Sequence, residues 1–276
     1  MNCAFNHHTQ DTMTFLGTAG ARFVVARQLR ASGGTWLRLG EKQLLIDPGP
    51  GSLLRCLAAQ PRLHPPALDG IILTHRHLDH SNDINVMIEA MTNGGRDRKG
   101  FVLAPRDAVE VADPVIQQYV RAYVDELDYL EVGKTFSFNT FSLSTPVAHH
   151  HSVETYGLRF SLPYGTISII ADTAYFDELI DCYKGTDLLV LNVVIYQDTS
   201  PSAYKIYHLN FSQALALIEA IRPRAAVLTH FGMTMLQHNP HLLAARIEEK
   251  TGVRVLAATD GLELSILGQL QANQVK

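Results

Sequence analysis

Between residues 71 and 83 the chain reads Ile-Ile-Leu-Thr-His-Arg-His-Leu-Asp-His-Ser-Asn-Asp, and four side chains able to bind a metal, His75, His77, Asp79 and His80, fall within six positions. His75 and His77 are two apart, so an extended backbone points both imidazoles to one side. Asp79 and His80 are adjacent, where the chain turns into a helix. One pair can hold one cation and the other pair a second. Imidazole with carboxylate suits zinc, iron or manganese, and the lack of a nearby thiolate argues against a closed structural zinc site. The competing reading is a histidine-rich loop without metal, which fits a lone histidine better than this cluster.

The flanking segments say how such a cluster could be positioned. Ile71 to Thr74 is apolar or β-branched and reads as a short buried strand that delivers the histidines to a loop at the mouth of a sheet. Ile84 to Met91 puts Ile84, Met87, Ile88 and Met91 on one helical face, with its N-terminal end near the metals and Asp83 in the turn that the helix dipole favours for an acid. Upstream, Met13 to Leu16 gives a strand ending in Gly17-Thr18-Ala19-Gly20, which has neither GxGxxG nor GK[ST] and reads as a turn rather than a phosphate loop. Thr35 to Leu39 and Gln43 to Ile46 form a hairpin leading to Asp47-Pro48-Gly49-Pro50-Gly51 and a helix from Ser52 to about Ala59. Asp47 there either supports a ligating histidine from behind or only caps the turn.

Downstream, Asn93 to Gly100 is a loop carrying Arg96, Arg98 and Lys99, open to a phosphate-bearing substrate or simply solvated. Phe101 to Ala104 is a strand, and Asp113-Pro114 opens a helix to about Val124. A hairpin around Asn139-Thr140 delivers His149, His150 and His151, among which spacing alone does not choose a ligand. A second hairpin turns at Pro163-Tyr164-Gly165 and ends in Ala171-Asp172-Thr173. Leu188 to Ile195 reads as a strand buried on both faces. Asn210 to Gln213 has capping-box spacing for a helix to about Ile221, and Ala225 to Thr229 is a strand presenting His230. Asn239-Pro240 starts a further helix, and Val253 to Ala257 and Leu262 to Ile266 close the chain as strands around Thr259-Asp260-Gly261.

Composition bounds the answer. With 276 residues, 46% apolar and 18% charged, the chain suits one large globular domain over 1–276, and no apolar run approaches the roughly 18 residues of a membrane span. Met1 to Thr12 is polar without the marks of a secretory signal and reads as a flexible tail containing His7 and His8. Cys3, Cys56 and Cys182 have no metal or redox spacing and read as free thiols of a cytoplasmic protein. A net charge of −4 gives no general attraction to nucleic acid.

Thr-His-Arg-His-Leu-Asp-His resembles the HxHxDH signature of the metallo-β-lactamase superfamily. That family's His, Ser and later Gly align with His151, Ser152 and Gly157, its Gly-Asp-Thr with Ala171-Asp172-Thr173, and its last ligand with His230. The resemblance spans nearly the whole chain and implies an α/β, four-layer αββα sandwich of two mixed β-sheets flanked by helices. It implies that His75, His77 and His151 hold one metal, that Asp79, His80 and His230 hold a second, and that Asp172 bridges. Two divalent cations, zinc first with manganese or iron as alternatives, would lie about 3.5–4 Å apart, form a bridging hydroxide near neutral pH and drive hydrolysis.

Within the superfamily, Asp172, His230 and His208 look most like the branch of ribonuclease Z, the tRNA 3′-processing endonuclease, and of the cyclic phosphodiesterases of phosphonate metabolism. That implies catalytic roles for Asp79 and His208, the latter binding phosphate or protonating the leaving oxygen; a capping or surface role for His208 competes. Two departures from the tRNA enzymes are expected: Ile169 in place of the carboxylate that orients this histidine, and a tight hairpin across Gly157 to Ile170 where many carry a tRNA-grasping arm. The expected substrate is therefore a small phosphodiester, cyclic or nucleotide, with tRNA processing and lactonase or thioesterase activity as alternatives. Nucleic acid is disfavoured as a partner, no membrane is expected and a homodimer stays open. Flavodiiron oxidoreductases resemble HxExDH with a Glu where His77 stands and need a flavodoxin domain not found here.

Overall fold

Side chains alternate between the two faces of short strands, and the central strands are buried on both faces, which builds layers. The structure is a computed structural model that describes residues 11–32, 34–197 and 207–271. Strands β1 (Thr12–Phe15), β2 (Thr35–Leu39), β3 (Lys42–Ile46), β4 (Gly70–Ile72), β5 (Phe101–Ala104) and β6 (Glu126–Tyr129) lie side by side in that order. A second sheet contains β7 (Thr135–Ser137), β8 (Ser142–Ser144), β9 (Leu158–Leu162), β10 (Gly165–Ile170), β11 (Leu188–Ile195), β13 (Ala225–Thr229) and β14 (Arg254–Ala257), with the short β12 (Leu209–Asn210) beside β11. The last strand, β15 (Glu263–Ser265), returns to the first sheet and pairs antiparallel with β1.

In β3, Leu44 and Ile46 face the second sheet while Leu45 faces outward; in β11, Leu188 and Val190 face inward while Leu189 and Leu191 face outward. The inward set from both sheets makes one inter-sheet core. Helices α2 (Ser52–Ala58) and α4 (Ile84–Met91) cover the first sheet; α5 (Glu178–Tyr183), α6 (Phe211–Ile221), α7 (Met233–Gln237) and α8 (Pro240–Thr251) cover the second. The short α1 (Ala21–Ala26) lies against α3 (Leu78–Ser81), and α9 (Ile266–Gln271) closes the inter-sheet core with Ile266 and Leu270. The result is the αββα sandwich. Among the described residues no helix is long and apolar enough to cross a membrane.

Each sheet is antiparallel at one end and parallel at the other. Strands β3 to β6 run parallel in the first sheet, and β10, β11, β13 and β14 in the second. Parallel strands release their loops at a common edge, where α/β sheets place ligands. Asp47 follows β3, the histidine cluster follows β4, Asp172 follows β10 and His230 follows β13.

Several expectations need correction. Residues 1–10, with Cys3, His7 and His8, lie outside the described residues, but Asp11 and Thr12 are no tail: Thr12 opens β1, and Asp11 Oδ1 accepts the Gly40 N–H at 2.7 Å. The helix expected from Asp113 to Val124 is only a 3₁₀ stretch over Gln118–Tyr123. Asp113 pairs with the Arg76 guanidinium at 3.1 Å instead of capping, and Arg121 donates to the Ile116 carbonyl that a regular helix would have used, and to the Val109 carbonyl before it. The strands flanking Thr259-Asp260-Gly261 belong to different sheets, so that turn crosses the sandwich.

The crossing has a purpose near the site. Asp260 accepts the Thr18 N–H at 2.9 Å and the Thr18 hydroxyl at 2.7 Å through Oδ1, and the Ala31 N–H at 2.6 Å through Oδ2. It thereby pins both ends of the β1–β2 connection. Asp260→Ala removes a charged acceptor from three donors and is expected to cost about 2–3 kcal/mol, read as a lower urea midpoint at unchanged m-value.

Candidate metal centre

The ring nitrogens of this centre are sorted by what holds their far sides. Asp47 accepts the Thr74 N–H through Oδ1 and the Thr74 hydroxyl through Oδ2, both at 2.7 Å. Since that hydroxyl has spent its proton, its oxygen is free to accept from His75 Nδ1 at 3.1 Å. Asp47 Oδ2 also accepts from His80 Nδ1 at 2.9 Å. One carboxylate thus fixes the tautomer of two histidines and leaves both Nε2 lone pairs aimed inward. Of the two roles open to Asp47, support from behind is the one its contacts show.

His151 is oriented in the same way, Nδ1 donating to the Tyr207 carbonyl at 3.0 Å while Nε2 lies 3.0 Å from His77 Nδ1. The other two histidines of that run point elsewhere. His149 is buried with Nε2 at 2.9 Å from the Tyr183 hydroxyl, and burial pushes its pKa down to about 3. His150 stacks on Phe176. His230 has φ 61°, a left-handed backbone unusual for a side chain with a Cβ. The loop beside it fixes that turn: Phe231 N donates to the Thr18 carbonyl and Gly20 N to the Phe231 carbonyl. Gly20 has no room for more, since a Cβ there would stand 2.0 Å from the His230 carbonyl oxygen.

At the centre lies Asp172, 1% exposed. Its Oδ2 is 3.4 Å from His80 Nε2 and from His230 Nε2, 3.5 Å from His208 Nδ1 and 3.7 Å from His75 Nε2. Burial alone would raise its pKa, but the imidazoles of His230, His208 and His80 hold it well below the ordinary carboxylate range. Conversely, although burial lowers the His80 pKa, Asp79, Asp172 and Asp47 together drive it well above the usual value. A field that favours a proton there favours a cation equally.

Donor atoms of His75, His77 and His151 lie within 4.8 Å of one another, as do those of Asp79, His80, Asp172 and His230, and those of His151, Asp172 and His208. The Nε2 atoms of His75, His80 and His230 and Nδ1 of His208 are buried without a hydrogen-bond partner. Such atoms cost on the order of 1–3 kcal/mol each unless something binds them, so these residues fit a metal. The donor set, imidazole and carboxylate without thiolate, suits zinc, manganese or iron.

A profile of the Beta-lactamase superfamily domain matches residues 42–231. The chain belongs to the metallo-β-lactamase superfamily. A protein of Methanocaldococcus jannaschii without assigned function is 27% identical over 258 residues, covering 92% of this chain and 94% of its own length. Ribonuclease Z of Bradyrhizobium sp. is 23% identical over 274 residues, covering 79% of this chain and 88% of its own. Among solved structures, the metallo-β-lactamase fold protein YhfI from Bacillus subtilis superposes with a TM-score of 0.75 at 20% identity, covering 92% of this chain and 98% of that one. A diphosphatase of the PhnP family superposes with 0.66 at 18% identity, covering 92% and 96%. At these identities the solved structures share the fold. The superfamily is one of metal-dependent hydrolases, and hydrolysis is the chemistry of this chain.

The structure therefore gathers His75, His77, Asp79, His80, His151, Asp172, His208 and His230 at one edge of this metallo-β-lactamase sandwich. It does not bring Arg96, Arg98 and Lys99 there. Their loop follows the C-terminal end of α4 and enters β5, which runs parallel to β4, so it lies at the opposite ends of the strands from the histidines. The eight residues of α4 carry the chain roughly 12 Å away from the site. There Arg98 Nε donates to the Val124 carbonyl and Lys99 Nζ to that of Pro66. Ile169 packs in the inter-sheet core, and the carboxylates acting on His208 are Asp172 and Asp79. Asp83 accepts the N–H groups of Gly51 and Leu53 at the start of α2. The sequence reading missed Asn192, whose amide donates to Asp172 Oδ1. Its signal was available, a polar residue inside an apolar strand.

Two outcomes test the centre. His75→Ala or Asp172→Ala is expected to lower bound metal, measured by elemental analysis, and to abolish hydrolysis while the circular dichroism of the fold persists. Asp47→Ala touches no cation directly and is expected to lose about 10–100-fold in metal affinity; wild-type affinity would mean that the His75 and His80 tautomers need no such anchor.

Proposed function

We propose that the protein hydrolyses a small phosphodiester, cyclic or nucleotide, at a centre of two divalent cations, zinc first among them. In this reading His75, His77 and His151 hold one ion, Asp79, His80 and His230 the other, and Asp172 both. When bound, such a pair lowers the pKa of a water toward neutrality and stabilises charge on the attacked phosphoryl group.

His208 carries the phosphodiester assignment. It lies on the segment leading to α6, with 19% of its side chain exposed at the site and its Nδ1 buried without a hydrogen-bond partner. Burial lowers its pKa, against the pull of Asp172, and neighbouring cations would lower it further. A neutral imidazole keeps one N–H. That favours a hydrogen bond to a phosphoryl oxygen, which accumulates charge as the ester bond breaks, over outright protonation of the leaving group. The ribonuclease Z relatives and the PhnP-family diphosphatase both have names placing them in the hydrolysis of phosphorus–oxygen bonds, which supports a phosphate-bearing substrate.

Substrate size is argued from reach. Leu162 pairs with Gly165, leaving Pro163 and Tyr164 as the whole β9–β10 turn, so no arm extends there. The basic loop at Arg96 to Lys99 faces the wrong end of the sheet. A folded RNA needs many phosphate contacts beyond the reaction centre, and the similarity to ribonuclease Z is what keeps tRNA 3′-processing as the second reading.

His208→Ala is expected to cut phosphodiester turnover by about 10²–10³-fold with bound metal unchanged; an undiminished rate would return His208 to a structural role. The kcat/KM for a small phosphodiester should exceed that for a precursor tRNA, a lactone and a thioester at physiological salt. Preference for the tRNA with a steep salt slope would reverse the assignment of substrate size.

A further inference from the structure

Strand β11 is buried along all eight residues and reads Leu-Leu-Val-Leu-Asn-Val-Val-Ile, so Asn192 places a primary amide inside an otherwise apolar strand. An unpaired buried amide costs on the order of 1–3 kcal/mol, so a polar side chain here answers a need of the site rather than of the sheet. The register shows which need. Leu191 pairs with Ile170 and Asn192 with Thr229, which sets Asn192 between the strand end leading to Asp172 and the strand end leading to His230. Asn192 shares the alternation of Leu188 and Val190, whose side chains face the other sheet. From there Nδ2 donates to Asp172 Oδ1 at 2.9 Å, both residues being buried. A carboxylate can accept only from the nitrogen of the amide, so the contact fixes which end faces Asp172.

The two oxygens of Asp172 are thereby distinguished: Oδ1 is anchored to the protein, while Oδ2 stands among the nitrogens of His75, His80, His208 and His230. We propose that Asn192 is a positioning residue for the hydrolytic reaction, which holds the Asp172 carboxylate with Oδ2 toward the metal positions and, being neutral, adds no negative charge beside them. Leucine would supply no donor for Oδ1. Aspartate would set a second carboxylate against the first. Divalent cations held here would attract an anionic phosphodiester, and a carboxylate at position 192, added to Asp47, Asp79 and Asp172, would weaken that attraction. This inference rests on the dinuclear phosphodiesterase reading above.

Asn192→Leu keeps the heavy-atom count and the branch point and removes the donor; Asn192→Asp keeps the size and adds charge. Zinc is titrated calorimetrically into metal-free wild type and both variants, and kcat and KM are measured for a small phosphodiester and for a neutral lactone. N192L is expected to lose about 10–100-fold in zinc affinity while its metal-free thermal unfolding stays near that of wild type. N192D is expected to raise KM for the phosphodiester by a larger factor than for the lactone. Wild-type zinc affinity in N192L overturns the positioning role, and equal KM effects on the two substrates overturn the charge role. If N192L does not fold, N192A gives the same zinc readout. Zinc binding that falls in N192L, in a wild type that turns over no phosphodiester, rejects the substrate assignment and keeps the positioning; a wild type that binds no zinc rejects both.

Discussion

A buried carboxylate oxygen facing four imidazole nitrogens is the interaction on which this molecule depends. Asp172 and its neighbours bring mutually interfering charges and unpaired lone pairs into a space from which solvent is largely excluded. Such a cluster is costly unless it is compensated by hydrogen bonds, protons or cations. The fold places Asp172 and His230 directly after β10 and β13, Asp79 and His80 in α3, and His151 and His208 in the connections before β9 and β12. Two half-parallel sheets, packed face to face, release their connections at a common edge, and all eight residues of the centre stand there.

Around that edge orientation is imposed from outside inward. Asp47 acts on His75 through Thr74 and on His80 directly; the Tyr207 carbonyl acts on His151; the Gly20 backbone leaves His230 its unusual turn. In each case a ring is committed to one tautomer or one direction by a group behind it. Precision at the centre is therefore a property of its surroundings, and substitutions two contacts away act on it.

The legibility of the site followed the range of the interactions. His75, His77, Asp79 and His80 are visible because their spacing is local, and the strand before them and the helix after them follow from short-range periodicity. Asp172, His151, His208 and His230 come from distant segments of the chain, so residue spacing could not connect them and only the resemblance did. Asn192 could have been read as an anomaly in β11, yet its partner lies on another strand. The place of the basic loop stayed open in the sequence, because nearness in the chain to the histidines does not show where α4 carries it. The segment after Asp113 failed as a helix because side-chain contacts with Arg76 and Arg121 outcompeted its local signals, and α1, α5, α7 and α9 are shorter than two turns, too short for a repeating pattern.

One feature of the topology bears on how the molecule comes into being. Thr18 and Asp260, 242 residues apart, are joined by hydrogen bonds, and Met13 pairs with Leu264 in the same sheet. Contacts of such separation must pay the entropy of closing nearly the entire chain, which slows folding. On the ribosome, the β1–β2 connection next to His230 cannot be stapled until the last strand has emerged. The nascent chain thus carries the donors of its centre, the last of them His230, before Asp260 can fix the β1–β2 connection beside them.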